Sequence, residues 1–243
     1  MGVNKSKAGT DKGSRMISTV VSPAVQLWLR SQVDAVETLQ FKLMGRDRQI
    51  LRGHIPTVSI AARRAIYQGL HLSQIQLDGT NIRFNLTQVF KGKPLQLLEP
   101  VPVTGQLILR ESDLQASLDA PLLSNALTEL LNTFINSYNP PDQYPPLNPS
   151  TISWQQIKID GQHLTLKGTV THPETQEILV QIDAGIQLVT PQHLQLHPLQ
   201  IQLNAHAIAL EPFTIDLGSE VDLKELTLTP GQLMCRGCLR VIP

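Results

Sequence analysis

Residues 72–86, LSQIQLDGTNIRFNL, alternate: Ile75, Leu77, Ile82, Phe84 and Leu86 are apolar, and Gln76, Asp78, Arg83 and Asn85 are polar. Successive side chains of a strand point to opposite faces, so this period of two predicts one wet face and one oily face. The pattern recurs in LQFKLMG, IPTVSIAA and VTGQLILR earlier in the chain. It returns after residue 150 in TISWQQIKIDGQHLTLKGTV, EILVQIDAGIQLV, HLQLHPLQIQL and VDLKELTLT. Turns such as GRDR and DGTN separate the segments, as expected of antiparallel strands with one buried face. Residues 75–79 followed by 81–84 match residues 157–161 followed by 163–166, which predicts a hairpin of similar design in each half.

Two stretches follow a helical period instead. Ser22-Pro23 offers a cap and a first-turn proline for a helix running to about Leu39. Val25, Trp28, Leu29, Val33, Val36 and Leu39 share its oily face. It suits packing on a sheet, and Trp28 with Arg30 also suits a membrane interface. After the short helix ESDLQASL, residues 121–138 form a longer one. Its Leu122, Leu127, Leu130, Leu131 and Phe134, with their apolar neighbours, span about 220° of the wheel. A surface helix needs a stripe of only about 100°, so this helix is expected to meet two apolar surfaces, or one that wraps it. The five prolines of NPPDQYPPLNP (139–149) forbid helix and central strand alike. Residues 1–20 read as a disordered basic tail, 21–230 as one domain with the proline-rich loop between two strand-rich halves, and 231–243 as a C-terminal tail.

Composition narrows the class. The chain is 41% hydrophobic but only 4% aromatic and 16% charged, so its oil is aliphatic and its polar surface is largely uncharged. This is a globular composition and not that of a nucleic-acid binder. The net charge of zero hides a split: residues 1–110 hold 15 Lys/Arg against 6 Asp/Glu, and residues 111–243 hold 5 against 14. The halves could attract each other, or the basic one could face an anionic partner. No run reaches the roughly 20 apolar residues of a membrane span. Residues 16–29 imitate a signal peptide but are diluted by polar residues and lack a cleavage site, so a cytoplasmic location is expected.

Signatures of catalysis are missing: there is no G-x-S-x-G, H-E-x-x-H, G-x-x-x-x-G-K-[ST] or G-x-G-x-x-G. His193, His197 and His206 fall where an alternating strand faces water, without a nearby carboxylate to complete a metal site. Cys235 and Cys238 are half a zinc site at most, and MCRGCLRV reads as a turn between extended segments. No catalytic residue, metal or cofactor is assigned. What remains is a surplus of oily surface around a helix, which suits either a greasy groove or an ordinary core.

Residues 47–72, DRQILRGHIPTVSIAARRAIYQGLHL, followed by ESDLQASL and the strand-rich remainder, resemble the LmeA-like proteins of actinobacteria and cyanobacteria, most closely the cyanobacterial branch. The resemblance covers about residues 20–230. It implies an α+β, mainly β fold: a long curved antiparallel sheet wrapping two or three helices, similar to tubular lipid-binding modules. It also implies non-catalytic phospholipid binding, whereas the export of mycobacterial members has no counterpart in this chain's N-terminal pattern. The expected reading is binding or transfer of phospholipid or glycolipid acyl chains, with peripheral docking on anionic plasma or internal (thylakoid) membrane. The pattern nominates Leu122, Leu127, Leu130, Leu131 and Phe134, facing Ile60, Leu72, Ile75 and Leu77, as lipid-lining residues. It nominates Trp28, Arg46, Arg48, Arg52, Arg63 and Arg64 for membrane or headgroups. The rival expectation is an assembly factor that grips a membrane-protein partner with the same surface.

Overall fold

The period-two segments form strands, and each finds an antiparallel partner. The computed structural model describes Arg30 and residues 33–89, 91–94, 96–137, 152–171 and 177–243. Sheet 1 has the order β1 (Ala35–Met44), β2 (His54–Tyr67), β3 (Leu70–Arg83), β4 (Val101–Arg110), β12 (Gln232–Val241) and β11 (Val221–Thr229). Sheet 2 has the order β10 (Phe213–Asp216), β8 (His193–Leu203), β7 (Ile178–Thr190), β6 (His163–Val170) and β5 (Ile152–Asp160), with β9 (His206–Leu210) also paired to β8. The fold is thus mainly β and antiparallel, as expected. Residues 231–243, expected as a tail, supply β12 between β4 and β11. Sheet 1 therefore draws its strands from both ends of the described chain, and sheet 2 is built from its middle.

Four helices accompany the sheets among the described residues: α1 (Asp47–Ile50), α2 (Leu86–Val89), α3 (Glu111–Ala116) and α4 (Pro121–Ser137). The helix expected to run from Ser22 to Leu39 is corrected at its C-terminal end, because Ala35–Met44 is β1. Leu39, Phe41 and Leu43 fit a period of two as well as Val33, Val36 and Leu39 fit a helical one. Pairing with Ala62, Ile60 and Val58 of β2 decides the contest. Residues 22–29 of that helix, with Trp28 among them, residues 31–32, residues 1–20 and the proline-rich loop lie outside the described residues.

The hairpin expected at 75–84 is also corrected. β3 runs unbroken through Gly79, and its register with β2 holds from Leu70 to Arg83. Asn81 takes the left-handed φ of 54° that the DGTN signal implied, but within a continuous strand. The matching hairpin at 157–166 does form, with Asp160 opposite His163 across Gly161 (φ 59°).

The core sits on sheet 2. Leu131 and Phe134 of α4 are fully buried with Trp154, Ile157, Leu166, Val180, Ile182, Leu199 and Ile201. Phe134 meets Phe213 edge-to-face at 5.1 Å between centroids, an arrangement that adds about 0.5–1.5 kcal/mol to area burial. The broad arc of α4 is only partly covered, since Leu122 remains 47% exposed.

α3 stitches the two sheets. Glu111 Oε2 accepts from Ile159 N at 2.8 Å, and Gln115 Oε1 accepts from Ile157 N at 3.0 Å, on the edge strand β5. Gln115 Nε2 donates to Gln155 O at 2.8 Å, and Gly231 N, in the β11–β12 turn, donates to Ile159 O at 2.9 Å. The free edge of sheet 2 thus ends against groups that satisfy its backbone, which blocks pairing with a foreign strand.

Candidate functional site

Register assigns every residue of sheet 1 to a face. One transverse row is Phe41, Ile60, Leu77, Gly105 and Gly237, and the next is Leu39, Ala62, Ile75, Leu107, Cys235 and Leu226. Residues one position away form the opposite rows: Lys42, Ser59, Asp78, Thr104 and Cys238, then Gln40, Ala61, Gln76, Gln106 and Arg236. Sheet 1 therefore has an oily inner face and a polar outer face along its centre.

Two left-handed residues let the inner face continue past these rows. Alternation from Val58, Ile60 and Ala62 would point residue 64 inward. Arg64 has φ 47° and stays exposed, with its Nη1 2.9 Å from Glu37 Oε2, and Ala65 becomes the next buried residue. Ala65 pairs with Leu72, which extends the oily strip toward α3. At the other end Asn81 makes the same shift in β3: Ile82 joins Phe41, Leu43 and Ile60 in a cluster with buried Ile55, Val58, Phe84 and Leu86. From Val36 to Leu43 the strip is about 23 Å long, and six strands make it about 24 Å wide.

Burial separates this face from a finished core. Leu39, Phe41, Ile60, Ile75, Leu77, Leu107 and Leu226 are all only half-buried. Every buried residue of α4 belongs to the cluster on sheet 2. The nominated lipid-lining residues thus divide. Ile60, Leu72, Ile75 and Leu77 lie on the strip of sheet 1, whereas Leu127, Leu130, Leu131 and Phe134 pack on sheet 2 and Leu122 faces outward. Sequence reasoning did not nominate Leu39 and Phe41, although it read LQFKLMG as extended, with Leu39 also ending the expected helix. It also missed Leu107 and Leu226, whose alternation in VTGQLILR and VDLKELTLT was the available signal.

The arginines divide as well. Arg46, Arg48 and Arg52 are exposed in the β1–β2 connection around α1. Arg63 and Arg64 lie about 30 Å along the strand, on a polar depression of about 470 Å³ that Arg110, Ser73, Gln74 and Asp113 also line. A second depression, about 590 Å³, is bordered by Gln40, Lys42, Ser59, Ala61, Gln76 and Asp78 of the outer rows, and Leu39, Phe41 and Ile60 also line it.

The cysteines sit within β12 and not in a turn, a correction with a chemical consequence. Three residues apart in a strand they point to opposite faces: Cys235 opposes Leu107 and Leu226, and Cys238 opposes Thr104 and Asp222. They cannot share a metal or close a disulfide within the strand, and both are free thiols. Burial pushes the Cys235 thiol above its ordinary value, against a smaller opposing effect of a backbone hydrogen bond at Leu107. Among the described residues no group of three or more His, Cys, Asp or Glu is placed to hold a metal, and no helix is long and apolar enough to cross a membrane.

Sheet 1 is thus a wide antiparallel sheet with one oily, half-covered face and one polar face. The LmeA-like phospholipid-binding family matches residues 12–238, and the chain belongs to that family. Phospholipid is accordingly its ligand class. No curated protein and no solved structure matches the chain.

Proposed function

We propose that this protein carries phospholipid acyl chains on the inner face of sheet 1, without catalysis, and exchanges them at an anionic membrane. The observation that carries the reading is the contrast between the sheets. On sheet 2 the helix α4 completes a buried core, whereas on sheet 1 the row Leu39, Ala62, Ile75, Leu107 and Leu226 remains largely half-buried. A chain of 16 methylenes gains about 13 kcal/mol gross at roughly 0.8 kcal/mol each. Association costs of about 4–15 kcal/mol offset much of that, which leaves binding reversible, as a carrier requires.

The test is native mass spectrometry of protein purified without detergent, followed by extraction and identification of bound lipid. A phospholipid at near-stoichiometric occupancy is expected, and Ile60→Gln with Leu77→Gln should empty the site. A clean apo mass that persists after incubation with liposomes would sink the proposal.

A further inference from the structure

Exposed oil is not spread evenly over the molecule. Of the ten large hydrophobic side chains exposed among the described residues, six lie at one end of sheet 1: Met44, Leu51, Leu98, Leu239, Val241 and Ile242. Register places them together. β1 and β12 end there, β2 and β4 begin there, and Val241 pairs with Val101 while Met44 pairs with Thr57. Hydrogen bonds from Phe84 N to Gly53 O and from Leu98 N to Arg83 O, both 2.9 Å, tie the β1–β2 and β3–β4 connections into one tip. Asn85 braces the second connection, donating to Pro94 O at 3.0 Å and accepting from Gln96 N at 2.8 Å. Ile50, Phe84 and Leu86 are buried beneath it. Leu51 and Leu98 are therefore held outward on a braced surface.

The same tip concentrates positive charge. Arg46, Arg48, Arg52, Lys91 and Lys93 are exposed there, and none makes an ion pair among the described residues. The acidic groups at this end are Asp47, Glu99 and Glu220; Glu99 is paired with Arg83 at 3.4 Å and Glu220 with Arg240 at 3.8 Å. All six ion pairs among the described residues join residues of the same half of the chain, so they do not couple the basic half to the acidic one.

Exposed aliphatic side chains ringed by cations match the interface of an anionic bilayer. Hydrocarbon enters the headgroup boundary while Lys and Arg meet lipid phosphates. The geometry points to this tip, the end of sheet 1 remote from α3, as the surface that docks on an anionic lipid bilayer. The protein then stands end-on, with the oily strip leading away from the membrane. This rests on the lipid-carrier reading for the choice of partner, and it names the orientation that reading leaves open. An acidic protein partner would use the cations but not the six exposed hydrophobic residues.

Flotation with phosphatidylcholine vesicles, with and without phosphatidylglycerol, tests it. The wild-type protein should float only with the anionic vesicles. Arg46→Glu/Arg48→Glu/Arg52→Glu should weaken binding by about tenfold or more, and Leu51→Ser/Leu98→Ser by severalfold. Leu179→Ser, which removes a residue 60% exposed on sheet 2, should change nothing. Thermal melting of each variant excludes misfolding as the cause. Wild-type protein that does not float, floats equally on neutral vesicles, or binds as well after both tip substitutions would overturn the docking surface. So would an equal loss in Leu179→Ser. Native mass spectra of the same samples keep the two ideas apart: empty protein that still floats by its tip removes the carrier reading alone.

Discussion

Cys235 shows what a single residue on the inner face experiences. Its thiol faces Leu107 and Leu226, and burial raises its pKa above the ordinary 9.0. The unfolded chain releases this proton at lower pH than the folded one. The corresponding stability is full below pH 9.0, and it is lost as pH rises through the higher folded value. Alkylation of Cys235, followed by mass spectrometry across pH, should therefore show a midpoint above that of the same cysteine in denaturant. A coincident or lower midpoint would place the thiol in water. At this scale the sequence was partly legible. Ile60, Ile75 and Leu77 were readable from alternation because each strand reports its own period. Arg64 and Asn81 were not readable in the same way. Their left-handed backbone shifts which residues face inward, and alternation alone would have turned Arg64 into the oil.

Among the elements, α3 has the clearest structural duty. Its six residues bury little, yet Glu111 and Gln115 satisfy the backbone N–H groups of Ile159 and Ile157 on the edge of sheet 2. Removing one partner of such a bond costs about 1–3 kcal/mol when the orphaned group stays buried. Glu111→Ala/Gln115→Ala should lower the denaturation midpoint and make the protein scatter light on gentle warming, because β5 becomes a free edge. Unchanged scattering with an unchanged midpoint would show the edge to be protected by other means. The sequence announced both ESDLQASL and α4 as helices, since period and capping are local properties. It could not announce that α4 packs on sheet 2, because the oily faces of both sheets present similar alternation. The assignment of Leu39 to a helix failed for a related reason: only the partner strand β2, distant in sequence, distinguishes the two periods there.

At the scale of the whole molecule the two sheets carry unequal shares of stability. The large buried cluster and α4 belong to sheet 2, while sheet 1 has a small cluster around Ile55, Val58, Phe84 and Leu86. Local opening free energy follows buried apolar contact. Amides of β6, β7 and β8 should thus exchange with deuterium more slowly than those of β1, β2 and β3 in lipid-free protein. Phospholipid should slow β1–β4 and leave β6–β8 unchanged; slowing confined to sheet 2 would move the ligand to the other core. The antiparallel, mainly β class was legible because it rests on many repeated local patterns. The insertion of β12 between β4 and β11 was not, because nothing local in QLMCRGCLRV states which neighbours it will find.

The unbroken register of β2 against β3, fourteen residues on each strand, has an evolutionary corollary. Between the shifts at Arg64 and Asn81, substitutions along one parity of the central strands can reshape the oily face while the water-facing surface keeps its chemistry. A single-residue deletion there would exchange the two faces of everything beyond it. Descendants of this chain can thus change the shape of the oily face by point mutation, while changes of length are confined to the connections between strands.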